Sequence, residues 1–387
     1  MIQKRLEDIS EDNLLGLISN GIAEGRTIEY KRDLPGGTDA SKKEYLADVS
    51  SFANTSGGDL IFGMEEAGGV PTQITGLTST DLDAELRRLD SITAAGLAPR
   101  IRYHTHTVDC GGKRVLVVRV ERSWIGPHRV VLTGHDKFYA RNSAGKYSLD
   151  VDELRAAFTL SNTVTERIRA FRTDRIIALS NNHTPIPFVE HPKIVLHCIP
   201  VESFAGRPQY DVLQYYHHQD RLQPMQGSGW QVRINLEGVV SYSGNPAYSY
   251  TQVHRNGVIE VVNGSILGNE YGGKKLIPSF IYEGAVLNYL PLCFQKLQEL
   301  GCSAPVIVAL TLTNVKGVQM GLDGVAVGFD IGQPINTETL VLPEAVVEDF
   351  STSPDKILRP MFDLVWNACG YPKSKNFDRE GNWVHRR

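Results

Sequence analysis

Glu24, Glu29 and Lys31 fall within GIAEGRTIEYKRDLP, and Glu65 and Glu66 close the segment EYLADVSSFANTSGGDLIFGMEEAGG. Carboxylates and a lysine at these spacings could gather around one metal ion or one phosphate. The chemistry would be phosphodiester cleavage. Mg2+ or Mn2+ favours oxygen ligands, needs few protein groups and leaves positions for water and phosphate. Such an ion generates hydroxide and neutralises the charge of the transition state. Lys31 could orient the attacking water or stabilise the same charge. The expected metal and catalytic set is Glu24, Glu29 and either Glu65 or Glu66, with Lys31 assisting. The plainer alternative is a surface Glu29–Lys31 pair, worth about 0.5 kcal/mol.

The elements that must position these residues are legible. TIEYKR alternates, so on a strand Ile28 and Tyr30 take one face while Glu29 and Lys31 take the other. A first helix starts after Ser10 and ends at Asn20-Gly21. A second is capped by the box Ser41-Lys42-Lys43-Glu44 and carries Tyr45, Val49, Phe52 and Ala53 at helical spacing. Asn54-Thr55-Ser56-Gly57-Gly58 stops it and reverses the chain into the strand LIFGM. A surface helix over TDLDAELRRLDSI is followed by strands with a Gly111-Gly112 hairpin, and then by the helices SLDVDELRAAFTLS and TERIRAFRTDRIIALS. Beyond Pro187 the texture changes to further strands, a long helix with Pro291 inside it, and a final helix over ILRPMFDLVWNACGY. We expect an α+β chain with three parts: residues 1–158, a helical linker over 159–190, and a second α+β domain over 191–387.

Candidate contacts to a nucleic-acid backbone are Lys42, Lys43, Arg141, Lys146 and the arginines from Arg167 to Arg175; for the arginine run the alternative is a solvated helix face with internal Glu-Arg and Asp-Arg pairs. Asn54 and Thr55, with the adjoining glycine amides, could hold a phosphate; the alternative is a simple helix stop. His104 and His106 share a strand face, but without an acidic or cysteine partner at ligand spacing they read as ordinary histidines, as do His217 and His218. His128 reads as structural beside Trp124 and Pro127.

The chain has 387 residues, 41% hydrophobic and 22% charged, which is ordinary for a globular protein of two or three domains. A net charge of −4 confines any nucleic-acid site to a local basic patch. The 5 cysteines are scattered without a C-x-x-C, against a disulfide framework or structural zinc. No apolar run is long enough to span a bilayer, and the polar start lacks a signal core. The expected location is the cytoplasm, with no membrane partner.

EGRTIEYKRDL followed by VSSFANTSGGDLIFGMEEAGG resembles the Schlafen-type AlbA domain, with KFYARNSAGKYSLDVDELRAAF similar to its closing strand and helix and Arg141 at the family's usual arginine. Met64 replaces a β-branched residue, and Glu65-Glu66 stand where Asp is common. The resemblance implies a small mixed-sheet α/β domain and a positively lined nucleic-acid groove, usually built by two such domains. One copy per chain therefore suggests a homodimer. In active Schlafen members three acidic residues and a divalent metal cut tRNA-like and rRNA substrates; Glu24 and Glu29 match two of them. No G-x-x-x-x-G-K-[ST] loop is present, so no nucleotide cofactor is expected. The function implied is nucleic-acid binding, RNA favoured over DNA, with endoribonuclease activity on structured RNA such as tRNA. The alternative is a non-catalytic regulator or defence sensor whose C-terminal domain senses a ligand or partner. Residues 191–387 resemble the tail often fused to bacterial AlbA-type domains.

Overall fold

The computed structural model describes residues 1–79, 81–205, 209–218, 222–271, 273–322, 332–378 and 380–384. It divides into two compact units, Met1–Thr163 and Val164–Arg387. The boundary falls inside one helix, α4 below, where the sequence suggested two successive helices. Helices and strands mix in several sheets, an α+β fold.

Unit 1 runs α1 (Glu11–Ser19), β1 (Ile28–Lys31), α2 (Asp39–Ala53), β2 (Gly58–Phe62), β3 (Met64–Ala67), β4 (Val70–Ile74), α3 (Leu82–Gly96), β5 (Leu97–Ala98), β6 (Tyr103–Cys110), β7 (Lys113–Val120), β8 (Arg129–Val130), β9 (Lys137–Asn142), β10 (Gly145–Ser148) and the start of α4 (Val151–Ser180). Its central sheet has the order β1-β2-β7-β6. β1 and β2 are parallel and the rest antiparallel, so the sheet is mixed.

The period-two alternation of β1 and β7 sorts side chains onto two cores. Leu60, Phe62, Leu116 and Val118 pack with Tyr45, Val49 and Phe52 of α2. Ile28, Tyr30, Ile61, Val115 and Val117 pack with Leu14 of α1. Glu29 and Lys31 therefore point toward α2. That helix starts three residues earlier than its sequence box suggests, because the Thr38 hydroxyl, not Ser41, caps it, accepting the Ser41 N–H at 3.3 Å.

The α2–β2 turn requires its glycines. Gly57 has φ +71, and a Cβ there would lie 2.8 Å from the Val120 carbonyl oxygen. A Cβ on Gly58 would lie 2.2 Å from the Phe52 ring.

Unit 2 contains the end of α4, β11 (Lys193–Pro200), α5 (Glu202–Ala205), α6 (Gln214–His217), β12 (Gln231–Ile234), β13 (Gly238–Gly244), β14 (Ala247–His254), β15 (Ile259–Asn263), β16 (Asn269–Tyr271), β17 (Lys274–Pro278), α7 (Ser279–Glu299), β18 (Val306–Thr313), β19 (Gln319–Gly321), β20 (Thr339–Val341), β21 (Ala345–Val347) and α8 (Pro354–Ala368). The main sheet, β12-β13-β14-β15-β11-β18-β20, is antiparallel where paired to β11 and buries that strand completely. α7 continues through Pro291, where a kink is expected on sequence grounds.

The arginines of α4 serve this unit from within. Arg175 grips the buried Glu260 with two bonds of 2.8 Å, and His197 and the Tyr250 hydroxyl also contact that carboxylate. Burial alone would raise the Glu260 pKa, yet Arg175 and His197 hold it well below the usual range. Arg172 donates to the carbonyls of Leu310 and Leu342, Arg169 meets Glu344, and Arg167 donates to the Phe204 carbonyl. These four arginines thus find partners within the unit. All five cysteines are buried and free.

Gly58→Ala should lower stability by about 1–3 kcal/mol, since the added methyl must displace the Phe52 ring or the Thr27 carbonyl. Urea denaturation followed by circular dichroism measures it; a loss under about 0.5 kcal/mol would mean the turn is slack.

Candidate functional site

β1 brings Glu29 and Lys31 to the α2 side of the sheet, and β9 and β10 bring Arg141 and Lys146 to the same place. Arg141 is the centre. Its side chain has no exposure, its Nη2 donates to Glu29 Oε2, and its Nη1 donates to Asp48 Oδ1 at 3.3 Å. Its Nε donates to the Gly25 carbonyl at 2.9 Å, and its guanidinium lies 4.3 Å above the Phe52 ring. Lys31 Nζ meets Glu29 Oε1 at 2.7 Å. Lys146 Nζ meets Asp48 Oδ1 at 2.9 Å and also Glu44. The result is an alternating chain of charge: Lys31, Glu29, Arg141, Asp48, Lys146, Glu44.

The protonation equilibria follow from that order. Burial pushes the Glu29 carboxyl up, but Arg141 and Lys31 more than offset it and hold the pKa below the usual value. Asp48 goes the other way. Burial and the nearby Glu29 charge raise it against the pull of Lys146 and Lys31. For Lys31, burial works downward, while Asp48, Glu29 and Glu24 lift its pKa above the ordinary value.

Glu24 belongs to the edge of this network. Its Oε1 accepts the Tyr30 N–H at 2.8 Å, and its own N–H bonds the Gly69 carbonyl at 2.7 Å. Burial raises its pKa, the Tyr30 bond opposes that, and the Glu29 and Glu66 charges add to it. Of the two candidate third carboxylates, Glu66 is the one whose charge reaches Glu24. One oxygen of Glu66 already accepts the Gly69 N–H at 2.5 Å. Glu65 instead faces Arg32 at 3.3 Å and Gln73. The two are neighbours on β3, and adjacent strand residues face opposite sides.

The structure thus joins Glu24, Glu29 and Lys31 and separates Glu65 from them. The carboxylates named for Mg2+ or Mn2+ do not fit an ion in this arrangement. Both Glu29 oxygens are held by cations, and one oxygen each of Glu24 and Glu66 is held by backbone amides. Among the described residues no three His, Cys, Asp or Glu side chains assemble as a metal-binding group.

The polar candidates at the helix stop are also engaged inside the fold. Asn54 donates to the carbonyls of His128 and Tyr139, both at 2.9 Å, and accepts the His128 N–H at 2.7 Å. The Thr55 hydroxyl accepts the Arg141 N–H at 2.9 Å. Both side chains are thus occupied by partners within unit 1. Arg141 is likewise spent internally, and Lys146 is largely so. Lys42 and Lys43 remain half-exposed at the start of α2, with Lys43 close enough to His135 to help lower its pKa after desolvation. His128 is buried, with Nδ1 2.8 Å from the Pro99 carbonyl oxygen.

Sequence reasoning missed Asp48. A signal exists: it shares the α2 face with Tyr45 and Phe52 at helical spacing, and a carboxylate on a core-facing position requires a cation or several hydrogen-bond donors.

Residues 24–150 match the family described as Schlafen, AlbA_2. Among solved structures, the N-terminal domain of an ATP-dependent DNA helicase RecG-related protein from Nitrosomonas europaea is 28% identical, with coverage of 35% of this chain and 88% of that one and a TM-score of 0.28. A protein from Corynebacterium diphtheriae is 19% identical over 36% of this chain and 27% of that one, with a TM-score of 0.25. No curated protein matches.

Arg141→Ala should cost about 3–5 kcal/mol near neutral pH, because two buried carboxylates lose their shared cation. In the wild type, Glu29 has a folded pKa below its unfolded one. Its stabilisation is in place above the unfolded value and is lost as pH falls through the folded value. Asp48 and Glu24 run oppositely, their cost shrinking on acidification. Without Arg141 the Glu29 pKa rises as well, so the deficit of the variant should narrow between neutral pH and about pH 4.5. Denaturant titrations at the two pH values test this; an unchanged deficit would contradict the network. The stretch that matches the Schlafen AlbA_2 family, residues 24–150, coincides with the mixed sheet and the Arg141 network.

Proposed function

We propose that the chain binds nucleic acid through unit 1 and that this domain acts as a binding module, not as a metal-dependent hydrolase. The family match supports nucleic-acid binding. The observation that carries the second half is the placement of Arg141 between Glu29 and Asp48. A buried guanidinium there neutralises the carboxylates from inside the fold, which removes the charge that would recruit a divalent ion. Lys42 and Lys43 then supply sequence-independent backbone contact.

RNA is the ligand class to try first, with structured RNA such as tRNA ahead of DNA, and two copies of the chain would build a two-walled groove. The wider role is regulation or defence, with unit 2 as the part that senses a ligand or partner. Among the described residues no helix is long and apolar enough to cross a membrane.

The test is fluorescence anisotropy with labelled tRNA and a labelled single-stranded DNA. Binding should weaken steeply with salt. Lys42→Ala with Lys43→Ala should lower the slope of log affinity against log salt by about 1–2. No binding to either probe at low salt would overturn the reading. Incubation of total tRNA with the protein and Mn2+ should yield no fragments. Fragments that disappear with Glu29→Gln would restore the hydrolase.

A further inference from the structure

One end of the unit 1 sheet carries two arginines that no acid answers. Arg26 precedes β1 and Arg122 follows β7. The Asp59 N–H donates to the Thr27 carbonyl at 3.0 Å, and Gly58 pairs with Val120, so the starts of β1 and β2 and the end of β7 form one row. Arg26 and Arg122 lie just beyond that row, on either side of Gly57. A Cβ on Gly57 would stand 2.9 Å from the Arg122 nitrogen, so the residue between the two arginines is bare by necessity.

The Arg122 guanidinium lies 3.9 Å from the centre of the Trp124 ring. Both arginines are exposed, Trp124 is half-buried, and Ile125 beside it is 38% exposed. Among the described residues no carboxylate bonds or ion-pairs with either arginine. Arg32, Arg88, Arg119 and Arg129 of the same unit each meet an acid. Desolvation and then the Arg26 charge lower the Arg122 pKa, which places the two cations within each other's field.

Two cations held together without an anion repel, and an added anion relieves the repulsion. The ring under Arg122 fixes the plane of its guanidinium, leaving the N–H edge as a fork suited to a phosphate. A phosphate beside an aromatic ring is the pattern of a nucleotide in a single strand, whose unpaired base can stack on a ring or a guanidinium. In a duplex the bases are stacked on one another and do not reach such a ring.

We propose that Arg26, Arg122 and Trp124 form a subsite for single-stranded nucleic acid, with the two guanidiniums clasping one backbone phosphate and the Arg122–Trp124 stack carrying the adjoining base. This rests on nucleic-acid binding by unit 1 and names residues that the Arg141 network does not use, although Arg141 bonds the carbonyl of the neighbouring Gly25.

The experiment uses the full chain and a short fluorescein-labelled oligouridine, with a duplex RNA as comparison. Arg26→Ala and Arg122→Ala should each weaken oligouridine binding about tenfold and flatten the salt dependence by about 0.7 in log–log slope. Arg26→Glu places an acid beside Arg122 and should weaken it further. Trp124→Ala should weaken binding about tenfold, whereas Trp124→Phe keeps the stack and should bind nearly as the wild type. The chain has 4 tryptophans, and Trp124 is the one in unit 1. Oligouridine should therefore quench tryptophan emission in the wild type and not in Trp124→Phe. Thermal melts establish that each variant is folded. Wild-type affinity and slope in Arg26→Ala and Arg122→Ala would overturn the subsite while leaving nucleic-acid binding intact. Failure of the wild type to bind any of the nucleic acids would overturn both.

Discussion

A single buried guanidinium organises the candidate site. Arg141 is delivered by β9, Glu29 by β1 and Asp48 by α2, and Arg141 lies 112 residues from Glu29 and 93 from Asp48 in the chain. A charge taken out of water is costly unless its hydrogen bonds are met. Arg141 meets that demand with two carboxylates, a carbonyl and an aromatic face. The same contacts fix what the carboxylates can do. They are balanced from inside, so the outer surface of the site is defined by what the network leaves over: the half-exposed Lys31, the start of α2, and the edge held by Glu24 and Glu66.

Unit 2 solves a similar problem in two ways. Glu260 is paired with Arg175 and His197 and stays ionised. Glu283 in α7 is buried and surrounded by neutral donors, among them Trp366, Ser374 and Asn376. Burial raises its pKa, and the four side-chain bonds oppose that without cancelling it. One carboxylate ties α4 to the main sheet, and the other ties the C-terminal segment to α7 and α8.

The local elements were legible in the sequence, and the long-range chemistry was less so. The alternation of TIEYKR placed Glu29 and Lys31 on one face because a strand's period is fixed by geometry. The diglycine reversal after α2 was legible because only glycine tolerates the close approach of Val120 and Phe52. Asp48 escaped notice because it sits among apolar residues at helical spacing, and its partner Arg141 lies 93 residues away. Arg141, Asn54 and Thr55 looked like surface donors. Their donors and acceptors are consumed by backbone and side-chain groups that only the folded chain brings near. The pairing of β3 with β4, which sets Glu65 opposite Gln73 and Glu66 opposite Pro71, is likewise not fixed by the residues alone.

With both Glu29 oxygens held by cations, the carboxylates near Arg141 are closed to a divalent ion. Electron paramagnetic resonance of Mn2+ titrated into the full chain, with no nucleic acid present, reads this directly. The expected result is free Mn2+ at every ratio up to about millimolar concentrations, unchanged by Glu29→Gln. Stoichiometric binding that Glu29→Gln abolishes would contradict it.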